Sequence, residues 1–176
     1  GLTIDYGPFG FLDGFDPNHI CNHSDHAGRY RWRYQPDIGF WNVGALAQAL
    51  AVLVPDAAQD GSEGQQQILA ALKAYEGRYE QQMLRRWRDK LGLQSEQASD
   101  QALVQDWLQL MAAQRADFTI TFRRLSRFRE DLAPDAPQNA LLRDLFLDRA
   151  AFDAWARRYA ARLQSEHSVQ AERQVR

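Results

Sequence analysis

The sequence predicts a mainly α-helical fold preceded by a short β or irregular N-terminal segment. Three observations carry this. From about residue 35 onward apolar side chains recur at three- and four-residue spacings, the mark of a helix with one buried face. The first 34 residues have no such period and are crowded with Gly, Pro, Asn and Asp. Between the periodic stretches stand residues suited to start or stop helices, among them Pro36, Pro55, Gly92, Ser99, Asp117 and Asp148.

Leu2, Thr3 and Ile4 suit a short strand, and Gly7, Pro8 and Gly10 forbid its continuation, which leaves Asp5 at a strand-to-loop switch. The rest of the segment to Tyr34 reads as an ordered irregular loop, and loops of such length in compact domains tend to be functional. Gln35-Pro36 opens the first helix, because proline fits a first turn. Ile38, Trp41, Ala45, Leu46, Ala49, Leu50 and Leu53 gather on one face until Pro55, so a buried helix of about five turns is expected. A polar linker over 56–64 leads into a long amphipathic helix bearing Ile68, Leu69, Leu72, Tyr75, Tyr79, Met83, Trp87 and Leu91, closed by Gly92 at the C′ position.

Ser99 is the expected cap of a third helix with Leu103, Trp107, Leu110 and Met111 on its inner face. Asp117 caps a fourth with Phe118, Phe122 and Leu125, and Phe128 close behind. Past Pro134 and Pro137, Leu141, Leu142, Leu145 and Phe146 form a short helix, and Asp148 caps the last, with Phe152, Trp155, Tyr159 and Leu163 facing inward. Trp41, Trp87, Trp107 and Trp155 all stand at apolar helical positions and are expected core anchors. Beyond Leu163 the apolar pattern fades into a solvated helix extension or a tail without fixed structure. The organisation is thus 1–34 loop segment, 35–163 helical body and 164–176 polar tail.

Hydrophobic residues make up 45% and charged residues 25% of the 176, with a formal net charge of −2, so no strong electrostatic attraction to nucleic acid or anionic membrane is expected. No apolar run has the roughly 18 to 20 residues that span a bilayer, and the N-terminus has no signal-peptide pattern. The single cysteine, Cys21, has no intrachain disulfide partner, which suits the cytoplasm.

Three constellations carry possible chemistry. Asp5 presents one carboxylate between an apolar run and glycines, either as a turn former or as a ligand for a hard cation. His19, Cys21, His23 and His26 place four donors within eight residues, but structural zinc sites draw paired ligands from two separated segments; the favoured reading is hydrogen bonding among His23, Asp25, His26 and the backbone that shapes the loop. Arg29, Arg31 and Arg33 alternate with Tyr30, Trp32 and Tyr34, a pattern read as a solvated strand or loop edge, with an acidic or phosphate contact or nucleic-acid stacking as alternatives. Arg85, Arg86 and Arg88, and Arg123, Arg124, Arg127 and Arg129, read as exposed helix faces.

The string Asp5-Tyr6-Gly7-Pro8-Phe9-Gly10-Phe11-Leu12-Asp13, followed by Cys21-Asn22-His23-Ser24-Asp25-His26, Gly28-Arg29-Tyr30, Gln35-Pro36 and Trp41-Asn42, closely resembles the selenoprotein O (SelO, YdiU) family. The resemblance runs to about Leu163 and includes Phe118-Thr119, Thr121-Phe122-Arg123 and Asp148-Arg149-Ala150-Ala151-Phe152-Asp153-Ala154-Trp155. It implies the helical C-lobe portion of a protein-kinase-like fold, with Asp5-Tyr6-Gly7 at the place of the kinase Asp-Phe-Gly triplet, so that Asp5 is a ligand to Mg²⁺ or Mn²⁺ on a bound nucleotide. It also implies transfer of AMP from ATP, or UMP from UTP, to Ser, Thr or Tyr hydroxyls of protein substrates, with loss of pyrophosphate. In that family an Asn-Thr-Asp-Asn loop carries the catalytic base and stands just before the segment matched here. The chain therefore reads as a C-terminal fragment without the base or the N-terminal lobe, expected to be inactive and to hold metal weakly by itself. The alternative is a catalytically silent helical module that binds a protein partner.

Overall fold

The computed structural model describes residues 12–21 and 24–166, and these are mainly helical, with no β-strand among them. The strand expected at Leu2–Ile4 lies outside the described residues. The only extended pairing among them is an isolated antiparallel bridge between Gly14 and Asp117. The chain divides into two compact units: in the described residues, 17–83 form the first, and 12–16 join 84–166 in the second.

In the first unit a 3₁₀ turn, Trp32–Tyr34, leads into α1 (Gln35–Leu50), with Pro36 in its first turn, and a second 3₁₀ turn, Ala51–Leu53, follows. The expected burial of α1 is not found: Ile38 is its single buried residue, while Trp41 is 58% and Leu46 57% exposed. The apolar period puts side chains on one face, but burial also needs an opposing surface. α1 meets α2 (Glu63–Lys90) where the Phe40 and Tyr75 rings lie 5.9 Å apart. Gly39 has no Cβ to block the Tyr75 hydroxyl there. α2 starts five residues before its first expected apolar position, Ile68, because Ser62 and Gln65 cap it: the Ser62 Oγ accepts the Gln65 N–H at 3.1 Å, and the Gln65 side chain accepts the Gly61 N–H at 2.8 Å.

In the second unit α2 ends as expected. Gly92 adopts φ 69°, and the Leu93 N–H donates to the Arg88 carbonyl at 2.9 Å. There follow α3 (Asp100–Gln114), α4 (Phe118–Leu125), α5 (Ala140–Arg143) and α6 (Arg149–Gln164). α3 packs on α6, and α5 contacts both α4 and α6. The core is aromatic: Trp107 stacks on Trp155 at 4.0 Å, Trp155 on Tyr159 at 4.8 Å, and Phe146 on Phe152 at 5.0 Å. Two polar edges of this stack donate, the Trp155 indole N–H to the Leu103 carbonyl at 3.0 Å and the Tyr159 hydroxyl to the Leu91 carbonyl at 2.7 Å, while the buried Trp107 indole N–H has no hydrogen-bond partner among the described residues.

The Asp117 and Asp148 carboxylates accept the Ile120 and Ala151 N–H groups at 2.7 and 2.9 Å, capping α4 and α6 as expected. Ser99 occupies the N-cap position of α3 but makes no side-chain cap, because its backbone is already helical (φ −77°, ψ −12°). Buried Asp100 instead ties down the segment before the helix, its carboxylate accepting the Gln97 N–H at 2.9 Å. Trp107 and Trp155 are the core anchors expected; Trp41 is not, and Trp87 is half-buried, stacked 6.1 Å from Phe122. Buried Asn139 pins the proline-containing loop before α5 by accepting from the Arg129 N–H and donating to the Arg129 and Ala133 carbonyls.

Candidate functional site

Asp5, the residue singled out for metal and nucleotide, lies outside the described residues, as does His23. What is described begins just after it, and there the backbone is fastened. The Phe118 N–H donates to the Asp13 carbonyl at 2.7 Å and the Phe15 N–H to the Ala116 carbonyl at 2.8 Å. Gly14 lies so close to the turn between α3 and α4 that an added Cβ would stand 3.0 Å from the Arg115 carbonyl oxygen. Phe15 is fully buried, its ring 5.5 Å from that of Phe118.

In the first unit the loop closes on itself: the Trp32 N–H reaches the His19 carbonyl at 3.0 Å and the Arg33 N–H the Pro17 carbonyl at 2.9 Å. Asp25 organises the turn between. Its carboxylate accepts the Arg29 and Tyr30 N–H groups at 2.9 and 2.7 Å, and Gly28 supplies the φ of 66° the bend requires. The Tyr30 amide above all holds the Asp25 carboxyl below the usual carboxylate range; burial opposes it, and the Arg29 and Gly28 amides and the Arg31 charge lower it further. The backbone half of the expected Asp25 role is therefore present; His26 is exposed and takes no part in it. Cys21 is exposed with a free thiol, and no three His, Cys, Asp or Glu among the described residues come together as a metal site.

Of the solvated strand or loop edge expected for the basic-aromatic run, the structure has the loop and not the strand: the turn at Gly28 and the 3₁₀ helix at Trp32–Tyr34 break the alternation, and Arg29, Arg33 and Tyr34 are exposed. The arginines lie on rings instead: Arg29 is 4.8 Å from the Trp41 centroid, and Arg31 and Arg33 are 4.8 and 5.1 Å from that of Tyr34. Arg31 also donates to the Gly28 and Ala27 carbonyls at 2.8 and 3.3 Å. A hollow of about 400 Å³ between α1 and α2, lined by Val43, Tyr75, Arg78 and Tyr79 among others, has no carboxylate, imidazole or thiol in its lining. Burial, with the neighbouring Tyr75 and Asp37 adding to it, pushes the Tyr79 phenol up.

The most developed polar cluster is one that sequence reasoning missed. Arg162, its side chain 5% exposed, donates to Asp100 at 2.6 and 3.3 Å, to Glu166 and to the Ser95 carbonyl at 2.8 Å. Glu166, with no side-chain exposure, also accepts from the Gln94 N–H and the Ser95 hydroxyl, both at 2.6 Å. Beyond Leu163 the sequence predicts a solvated helix extension or a tail without fixed structure: exposed Gln164 closes α6 as such an extension, Glu166 departs from it because a carboxylate close-packed by donors needs no apolar period, and 167–176 lie outside the described residues. Arg88 likewise is no free surface charge: its side chain is 11% exposed and paired to Glu96 at 3.0 Å. Both clusters lie within one unit and serve as structural clasps, for neither leaves a concave opening lined by free acid or base.

The family model described as Protein adenylyltransferase SelO matches residues 1–176. The chain belongs to the SelO family. This SelO chain is 49% identical over 178 residues to the Protein nucleotidyltransferase YdiU of Paraburkholderia xenovorans (strain LB400), covering 99% of the chain and 34% of that protein. It is also 49% identical over 178 residues to the protein of the same name from Cupriavidus metallidurans, covering 98% and 32%. With that of Ralstonia nicotianae it shares 47% over 182 residues, covering 98% and 35%. The SelO chain thus spans about a third of the length of these relatives. No helix among its described residues is long and apolar enough to cross a membrane.

Proposed function

We propose that the chain is the kinase-like C-lobe portion of a cytoplasmic protein nucleotidyltransferase, which moves AMP from ATP, or UMP from UTP, to Ser, Thr or Tyr hydroxyls and releases pyrophosphate. The observation that carries the reading is the SelO family match along residues 1–176. The base that orients the acceptor hydroxyl belongs, on this reading, to the part of the relatives that the match does not span, so the 176 residues alone transfer no nucleotide.

The donor chemistry fits a hard divalent cation. Such ions take oxygen ligands and need only one or two protein carboxylates when phosphate oxygens complete the shell. Asp5 supplies that carboxylate, and the described residues add no second cluster to it. Bound there, Mg²⁺ or Mn²⁺ would offset charge on the phosphate oxygens as pyrophosphate departs. Within the described residues, hydrogen bonds at Asp13, Phe15 and Phe118 fix the backbone at 13–15 in one unit, and Asp25 keeps the turn at 25–30 in one shape in the other.

The test is a YdiU-length protein carrying this sequence, incubated with α-labelled ATP or UTP and Mg²⁺ or Mn²⁺. Label is expected on protein, and Asp5→Ala lowers it by at least about a hundredfold, the effect of removing a metal worth several kcal/mol. Label undiminished in the variant removes Asp5 from the chemistry. No label in either protein overturns the nucleotidyl-transfer reading and leaves a silent binding module.

A further inference from the structure

We propose that the surface formed by Arg29, Arg33, Tyr34 and Trp41 docks an acidic segment of a polypeptide, in which carboxylates alternate with apolar side chains. The four residues belong to one unit and are exposed, Trp41 by 58% and Tyr34 by 38%. Among the described residues neither Arg29 nor Arg33 makes an ion pair, whereas Arg88, Arg143, Arg158 and Arg162 each have a carboxylate within 3.0 Å. Their guanidinium carbons lie 4.8 and 5.1 Å from the Trp41 and Tyr34 ring centroids. A guanidinium laid on a ring is held in place by its face and keeps its edge N–H groups available, the geometry that takes a carboxylate through two parallel hydrogen bonds.

The surrounding charges leave this edge open. Asp25, the nearest carboxylate in sequence, is turned onto the Arg29 and Tyr30 amides. Asp37, on the first turn of α1, is exposed and pairs with no arginine among the described residues, and His26 is exposed. Arg31 differs from its neighbours because its donors are spent on the Ala27 and Gly28 carbonyls, so it braces the turn. Exposed Phe40, beside Trp41 on α1, adds apolar surface.

Charge and ring geometry together select the occupant. Trp, Tyr and Arg are the residues that dominate protein-interface energetics, and two fixed cations within an apolar patch complement a peptide with spaced carboxylates. A nucleic acid would need many cations and open ring faces, but the chain carries a net charge of −2 and these rings already carry guanidiniums on them. On the proposed function, on which this last step rests, the acidic segment belongs to the protein that receives the nucleotide.

The experiment measures anisotropy of a fluorescein-labelled 12-residue peptide alternating Glu with Leu and Phe, added to the 176-residue chain without nucleotide. The Glu peptide is expected to bind about five- to tenfold tighter than its Gln counterpart, the effect of two exposed ion pairs. Arg29→Glu with Arg33→Glu should erase that difference and make the Lys counterpart bind better than the Glu peptide, which a misfolded variant would not do. Equal binding of Glu and Gln peptides, a preference unchanged in the double variant, or tighter binding of a 12-nucleotide single strand each overturns the proposal. Because no nucleotide is present, peptide discrimination with a failed label-transfer assay sinks only the enzymatic reading, and the converse sinks only this one.

Discussion

Replacing Arg162 by Met tests whether the buried clasp of the second unit is held by charge. The substitution keeps most of the side-chain volume but leaves two carboxylates, Asp100 and Glu166, with no side-chain exposure and without their cation. Removing one partner of a buried pair costs about 3–5 kcal/mol, since the stranded charge retains its desolvation penalty. With a urea slope of about 2 kcal/mol per molar, the unfolding midpoint falls by roughly 1.5–2.5 M. Near-ultraviolet circular dichroism is the assay, because the Trp107–Trp155 stack at 4.0 Å lies in the same unit and loses its asymmetric environment when that unit opens. Adding Asp100→Asn and Glu166→Gln to Arg162→Met should recover more than half of the loss, as neutral amides cost less to bury than carboxylates. A midpoint shift under about 0.5 M, or no recovery in the triple variant, would show that water already solvates these groups and refute the reasoning.

Two further outcomes follow from local geometry. Burial raises the Glu166 carboxyl, but the Ser95 hydroxyl, the Gln94 amide and Arg162 outweigh it and hold it below its ordinary 4.5. A carboxyl depressed in the folded state stabilises above the unfolded value and loses that contribution as pH falls through the folded one, so Glu166→Gln should lower the urea midpoint at pH 7 by an amount that shrinks steadily below pH 4.5. Among the caps, Asp117→Ala and Asp148→Ala should each cost about 1 kcal/mol in urea unfolding. Ser99→Ala should cost less than about 0.5 kcal/mol, because Ser99 makes no cap hydrogen bond.

Helix ends were the most legible feature of the chain, for they depend on nearest neighbours. Pro36, Gly92, Asp117 and Asp148 each act where the sequence placed them, because a fixed φ, a positive φ or a carboxylate three residues before an N–H works wherever the chain goes. Ser99 failed because a longer-range tie, Asp100 to Arg162, sets the backbone at that end. Period reported which α1 side chains share a face, yet Leu46 at 57% and Leu53 at 75% exposure show that period carries no information about an opposing surface. Ion pairs between distant segments, Arg162 with Asp100 or Arg143 with Asp153, have no local signature, and single charges in a helix look alike whether solvated or buried. Of the candidate site, the family motif and the shaping role of Asp25 were readable; the partnering of Arg29 with Trp41 was not, since twelve residues and a turn separate them.

The hydrogen bonds around Gly14 also set an order of events during synthesis. The Asp13 carbonyl and the Phe15 N–H find their partners, Phe118 and Ala116, about a hundred positions later in the chain. Phe15, fully buried once folded, therefore leaves the ribosome long before the turn that receives it exists, and all of 17–83 emerges in between. Closing a loop of that length costs about 4 kcal/mol of chain entropy, which falls due only when the second unit is assembled. Cutting the polypeptide after Met83 would yield no self-sufficient halves: the downstream piece would lack the aromatic plug that fills its interior, and the upstream piece would carry it with nowhere to bury it.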